Sequence, residues 1–182
     1  MNKEKITREI ELPDGTTGAV EGQALTVRGP KGEVKRQFKQ RNISIKAGNK
    51  VILLESKSGT KKDKKIIGSL AAHIRNMMKG IVNSHIYTLK ICSGHFPMNV
   101  SVAGTKFIVK NFLGEKVPRV LQLKSGAEVK IEGELIHITS QNKETAGQVS
   151  ADIEQLTRRP GYDTRIFQDG IYIINKDGKE MK

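Results

Sequence analysis

The sequence predicts an α+β protein of two tandem similar domains, each a small, mainly antiparallel sheet packed by one helix. Three observations predict it. First, the chain repeats itself: VEGQALTVRGPKGE (20–33) aligns with VAGTKFIVKNFLGE (102–115), with identities at Val20/Val102, Gly22/Gly104, Val27/Val109, Gly32/Gly114 and Glu33/Glu115. Second, each repeat is a series of short segments of alternating apolar residues separated by Gly-containing turns, the pattern of hairpin-linked strands. Third, each repeat closes on apolar residues at three- and four-residue steps, a helix face turned to a core. The repeats cover roughly 10–82 and 94–159. This places the domains at 1–83 and 84–182, the second carrying a C-terminal extension of about 160–182.

In chain order, the turn at Glu21-Gly22 leads into a strand at Ala24–Arg28. Gly29-Pro30-Lys31-Gly32 superficially suggests a phosphate loop, but a strand-like segment follows it, so it reads as a strand-to-strand turn. Strands at Ile43–Ile45 and Val51–Leu53 flank the turn Ala47-Gly48-Asn49. The run Lys57, Lys61, Lys62, Lys64 and Lys65, broken by Asp63, reads as a loop ahead of the helix, either merely solvated or lying on phosphates. Ile67, Leu70, Ala71, Ile74, Met77 and Ile81 form the first helical stripe.

His85–Cys92 alternates and reads as a strand joining the domains. Strands follow at Val100–Val102, Phe107–Val109, Val120–Leu123, Val129–Ile131 and Leu135–Ile138, with turns at Ala103-Gly104 and Glu132-Gly133. Ile43-x-Ile45 parallels Val129-x-Ile131, and Val51-x-Leu53 parallels Ile136-x-Ile138. Ala146, Val149, Ile153 and Leu156 give the second helix, where 147–159 parallels 68–80. Phe112 and Leu113 look exposed in a turn, which suggests packing on the other domain or on a partner.

Composition narrows the function. Of 182 residues, 32 are Lys or Arg and 19 Asp or Glu, a formal charge of +13. A surface of this sign attracts polyanions. No run reaches the roughly 20 apolar residues of a membrane-spanning helix, no basic amphipathic helix suggests a membrane surface, and the start lacks the apolar region of a signal peptide. One cysteine, Cys92, excludes a disulfide scaffold. Aromatics at 4% argue against single-strand binding by base stacking. The charge is uneven: residues 1–83 carry +10 and 84–182 only +3.

Catalytic signatures are missing. The chain has no Walker loop, no dinucleotide fingerprint, no nucleophile elbow and no H-E-x-x-H. Cys92-x-x-His95 with His85 supplies too few ligands for a structural zinc. His73 and His137 read as surface or half-buried side chains. No catalytic residue, metal, cofactor or small-molecule substrate is expected. In the C-terminal extension Arg158, Arg159, Arg165 and Lys176 alternate with Tyr162, Phe167 and Tyr172. This suits an arm ordered on folded RNA, or a strap packed on its own domain.

Five segments, in order, carry a family resemblance: Val27-Arg-Gly-Pro-Lys-Gly-Glu33, Ala72-His-Ile-Arg-Asn-Met-Met-Lys-Gly80, His95-Phe-Pro-Met98, Asn111-Phe-Leu-Gly-Glu-Lys116 and Phe167-Gln-Asp-Gly-Ile-Tyr172. The chain resembles the sixth protein of the large ribosomal subunit, in its archaeal form, over nearly its whole length. The resemblance implies a cytoplasmic, ribosome-bound structural protein without enzymatic activity. Its implied partners are large-subunit rRNA, near the sarcin–ricin and translation-factor-binding region, and neighbouring large-subunit proteins near the stalk base. It also implies that the second domain and its arm make most RNA contacts. Carried onto this chain, the RNA-binding residues are Lys110, Lys116, Lys143, Arg158, Arg159, Tyr162, Arg165 and Gln168. One feature departs from that picture, because the first domain carries most of the charge. A few Arg and Lys aimed at phosphates can nevertheless fix register while the lysine run supplies longer-range attraction. The acidic Glu128, Glu132, Glu134, Asp152 and Glu154 are read as solvent-facing. The alternatives are a non-ribosomal RNA-binding protein, or a nucleic-acid enzyme whose site carries no recognised motif.

Overall fold

The computed structural model describes residues 5–40, 42–48, 50–163 and 165–181. Asn49 of the first-domain turn and the first four residues lie outside these. The chain forms two compact units, Met1–Ser84 and His85–Lys182.

The first unit comprises β1 (Thr7–Glu11), β2 (Thr17–Glu21), β3 (Ala24–Gly29), β4 (Gly32–Gln37), β5 (Ile43–Ala47), β6 (Val51–Ser56) and α1 (Lys61–Asn83). All pairings are antiparallel, in two sheets of order β2-β3-β4 and β1-β6-β5. Gly29 pairs with Gly32, so Pro30-Lys31 is a two-residue hairpin turn. The β2–β3 turn is equally tight, and Gly22 takes φ +63° there, a conformation glycine adopts without steric cost. The whole predicted stripe on α1 is buried, packed with Leu25, Val27, Ile52 and Leu54. Gly29 permits a close approach: a Cβ there would lie 3.0 Å from Ile81.

Apart from Lys57, the lysine run is not a loop. Lys61, Lys62, Lys64 and Lys65 form the first turns of α1. The reason is local. Thr60 Oγ1 accepts the Asp63 N–H at 3.2 Å, and the Asp63 carboxylate accepts the Thr60 N–H at 3.1 Å. This reciprocal capping box satisfies amides that a helix start leaves free. Asp63 is buried, and also accepts from Ser56 Oγ at 3.1 Å and Ser58 Oγ at 2.6 Å. These bonds, led by the one from Ser58, hold its carboxyl down to about 2.

The second unit comprises β7 (His85–Cys92), β8 (Asn99–Ala103), β9 (Lys106–Lys110), a 3-10 turn (Phe112–Gly114), β10 (Arg119–Gln122), β11 (Glu128–Glu132), β12 (Leu135–Ser140), α2 (Lys143–Leu156), β13 (Gly170–Lys176) and β14 (Lys179–Glu180). One sheet runs β10-β9-β8 and the other β11-β12-β7-β13-β14, again antiparallel. The repeat is thus topological. β8-β9-β10 corresponds to β2-β3-β4, and β11 and β12 to β5 and β6. Strand β7 pairs with β12 as β1 pairs with β6.

His85–Cys92 is therefore no joining strand. It is the first strand of the second repeat and the middle strand of a five-stranded sheet. It still alternates, with His85, Tyr87 and Leu89 buried and Ile86 and Lys90 exposed, because only one face of its sheet is turned to the core. Within the C-terminal extension, β13 adds to the free edge of β7, which leaves 160–163 and 165–169 as loop. Phe112 is also corrected. It is buried in the core of its own unit with Phe107, Val109 and Ile153, while Leu113 is half-buried. The turn around them takes positive φ at Asn111 (59°), Leu113 (48°) and Gly114 (76°), and this folds the ring inward.

Candidate nucleic-acid interface

Helix α2 ends at Leu156, and Thr157 closes it. The Thr157 hydroxyl donates to Glu154 O at 3.2 Å and accepts the Ile171 N–H at 2.9 Å. Glu154 Oε1 accepts the Ile173 N–H at 3.0 Å. Both bonds tie the helix end to β13, so the two arginines that follow leave from a fixed point.

Arg119, on β10, secures the same point. Its guanidinium donates to Leu156 O at 2.6 Å, a carbonyl the helix end leaves without an intrahelical donor. It also donates to both oxygens of Glu115 at 2.8 and 2.7 Å, and lies 4.4 Å from the Phe112 ring centroid. Glu115 further accepts from Arg159 at 3.2 Å. The bonds from Arg119 first, then the positive charge of both arginines, hold the Glu115 carboxyl below its usual range.

From Arg159 the arrangement continues through rings. Its guanidinium covers Tyr162 at 4.6 Å from the centroid. Tyr162 meets Phe167 edge-on at 4.9 Å, and Phe167 stacks on His95 at 4.9 Å with 28° between planes. His95 Nδ1 is hydrogen-bonded to Asp169 Oδ2. Asp169 Oδ1 accepts the Gly94 and His95 N–H groups at 2.6 and 3.0 Å. Burial works against the Asp169 anion, but the bonds from His95 and Gly94 prevail and its carboxyl is lowered.

Of the residues expected from the resemblance, Arg158, Arg159 and Tyr162 line one cavity of about 530 Å³, with Phe167, Tyr172 and Asp169. Arg165 is exposed and paired with Asp163 at 2.9 Å. Gln168 is exposed, donates to Arg165 O at 3.4 Å, and borders an adjoining depression beside His95. Lys110 ends β9 at a separate shallow groove with Pro97 and Met98. Lys116 stands exposed in the loop before β10. Lys143 is remote from the arginines: it opens α2, roughly 20 Å of helix rise from its end, and lies 3.9 Å from Asp177. The predicted set is therefore one cluster with outliers. Glu154 is no solvent-facing acid, since it borders the cavity and bonds β13. Asp152 is paired with Lys124 at 3.2 Å.

Sequence reasoning missed Arg119, Glu115, His95 and Asp169 as parts of this surface. Glu115 and Arg119 stand four apart, a spacing that signals pairing only on a helix, and here they flank a loop. His95 and Asp169 lie 74 residues apart in sequence.

The ribosomal protein L6 family model matches residues 12–83 and 96–170. The chain belongs to the ribosomal protein L6 family. The second matched stretch runs to the start of β13, so the arginine and aromatic cluster lies within the family's own span. Large ribosomal subunit protein uL6 of Methanobrevibacter smithii is 41% identical over 172 residues, covering 94% of this chain and 97% of that protein. The uL6 protein of Methanothrix thermoacetophila is 39% identical, covering 95% and 98%. That of Methanococcus vannielii is 41% identical, covering 97% of each. All three bear the name of a ribosomal component, not of an enzyme. Among the described residues no group of three or more His, Cys, Asp and Glu is placed to hold a metal ion. No helix among them is long and apolar enough to cross a membrane.

Proposed function

We propose that this chain is a structural component of the large ribosomal subunit that binds large-subunit rRNA with its second unit. The observation that carries this reading is the anchored end of α2. There Arg158, Arg159 and Tyr162 line one cavity, supported from below by Arg119 and Glu115. The Arg159 guanidinium, fixed by Glu115 and Tyr162, and the exposed Arg158 beside it suit RNA phosphates and 2′-hydroxyls, which fold-specific recognition uses in place of a base code. Lys110, Lys116, Arg165 and Gln168 extend the contact around this centre, and Lys143 touches RNA at its far edge. Family membership supports a site near the sarcin–ricin and translation-factor-binding region, in the cytoplasm, with ribosomal proteins of the stalk base as neighbours. The first unit, with its +10 charge, adds attraction that fixes no register.

Binding to deproteinised large-subunit rRNA, measured over a salt series, tests the reading. The logarithm of affinity falls linearly with that of salt concentration, by about one unit for each phosphate neutralised. A flat salt profile overturns it.

A further inference from the structure

We propose that His95 is an RNA-contacting residue, set by Asp169 and Phe167 to present its Nε2 to a backbone phosphate as a protonated donor. The inference rests on the rRNA-binding reading above and adds to that surface a residue whose charge depends on pH.

Asp169 fixes the ring from one side. Its side chain is 1% exposed, and both its oxygens are committed, one to Nδ1 and one to two backbone amides. A carboxylate on Nδ1 requires the proton there, which leaves Nε2 as the outward atom. Phe167 fixes the ring plane from its face. Among the described residues Nε2 has no partner, although the His95 side chain is 41% exposed. A ring held this firmly with its second nitrogen unused is organised for something outside the chain.

Beside the ring Lys90 is offset by Glu134, so the attraction for a phosphate comes from the protonated ring itself. The depression beside the ring also holds Lys90 and Cys92 of β7, Glu134 of the β11–β12 turn and Gln168. Behind Phe167 stand Tyr162 and the Arg159 guanidinium. Asp169 stabilises the imidazolium but is itself enclosed, so an incoming phosphate meets the ring, not the carboxylate. When Nε2 takes up a proton it becomes a charged donor, the stronger kind of hydrogen bond to a phosphate oxygen.

The probe is deproteinised large-subunit rRNA, bound at constant ionic strength between about pH 8 and about pH 5.5. Wild-type affinity rises by about tenfold on acidification, the effect of one charge-assisted contact. In His95→Gln, which cannot be protonated, the profile flattens while the salt slope stays near that of wild type. Calorimetry on the unaltered chain, in two buffers of different ionisation enthalpy, avoids any folding defect of the variant. It shows proton uptake on binding near neutral pH. Salt-dependent binding with neither a pH profile nor proton uptake overturns the role of His95 and leaves the rRNA reading intact. Equal profiles for wild type and His95→Gln do the same. Failure of the wild type to bind rRNA removes both.

Discussion

Arg119 grips Glu115 through two hydrogen bonds, 2.8 Å to one oxygen and 2.7 Å to the other. The pair is more than a surface ion pair, because the same guanidinium caps α2 at Leu156 O and covers the Phe112 ring. The two side chains are only 23% and 28% exposed. Arg119→Ala therefore removes charge-assisted bonds, a helix-end partner and ring contact together. The expected loss is about 2 kcal/mol of unfolding free energy, read from urea denaturation. Arg119→Lys keeps the charge but not the fork, and recovers less than half of it. A loss below about 0.5 kcal/mol, the ordinary level for exposed pairs, refutes the anchoring role.

Gly29 tests packing in the first unit. An added Cβ would stand 3.0 Å from both Cγ1 and Cδ1 of Ile81 and 3.2 Å from its Cβ. Ile81 is fully buried, so it has no room to retreat. Gly29→Ala is expected to cost about 1–3 kcal/mol, the range for overpacked cores. Gly94→Ala is the control, since nothing lies within 4 Å of its Cβ position and its φ is not positive. Thermal denaturation of both separates close approach from a general glycine effect.

Most of the fold was legible because its determinants are local. Three- and four-residue steps marked both helices, and Gly22 and Gly104 marked equivalent turns. The Lys61–Lys65 error shows a composition reading overruled by two residues. Charge density suggested a loop, whereas Thr60 and Asp63 carry a helix-start signal that was present in the sequence. Phe112 was misread because a buried ring in a Gly-containing turn needs positive φ at two non-glycine residues, Asn111 and Leu113, which no periodicity reports. The site was legible only where its residues adjoin, as at Arg158, Arg159 and Tyr162. The His95–Asp169 contact required the fold, because β7 and β13 pair side by side and carry together the segments at their ends.

Arg158 and Arg159 should matter more for binding than the denser lysines of the first unit. Arg158→Ala combined with Arg159→Ala removes two guanidinium groups that line one cavity, the second of them held by Glu115 and Tyr162. Lys61, Lys62, Lys64 and Lys65 stand on early turns of a helix with no described hydrogen bond or ion pair to fix their ends. The double arginine variant is expected to lose at least tenfold in rRNA affinity, at about 1.5–3 kcal/mol for a charged contact. Glutamine at the four lysines lowers the salt slope with a smaller loss at physiological salt. Incorporation into large subunits, followed on sucrose gradients, should rank the variants in the same order. The reverse ranking would move the interface to the first unit.

Asp63 gives the first unit a specific acid sensitivity. Its carboxyl is lowered from 3.8 to about 2 by the Ser58 hydroxyl first, then the Thr60 amide and hydroxyl. A carboxyl lower in the folded than in the unfolded chain favours folding where it is ionised in both. Its contribution is therefore complete above about pH 4 and is lost as pH falls from there through about pH 2. Asp63→Asn cannot ionise and leaves only a neutral amide oxygen, a weaker acceptor, for the hydroxyls and the amide that all donate to one Asp63 oxygen. The variant should be less stable than wild type at pH 7, and the gap should narrow toward pH 2. Thr60→Ala removes the reciprocal bond and should cost about 1 kcal/mol, while keeping most of the acid dependence, since the Ser58 and Ser56 donors to Asp63 remain. Thermal unfolding at a series of pH values decides between this and a generic effect of net charge. If repulsion among the basic residues governed acid stability, the wild-type and Asp63→Asn curves would run parallel.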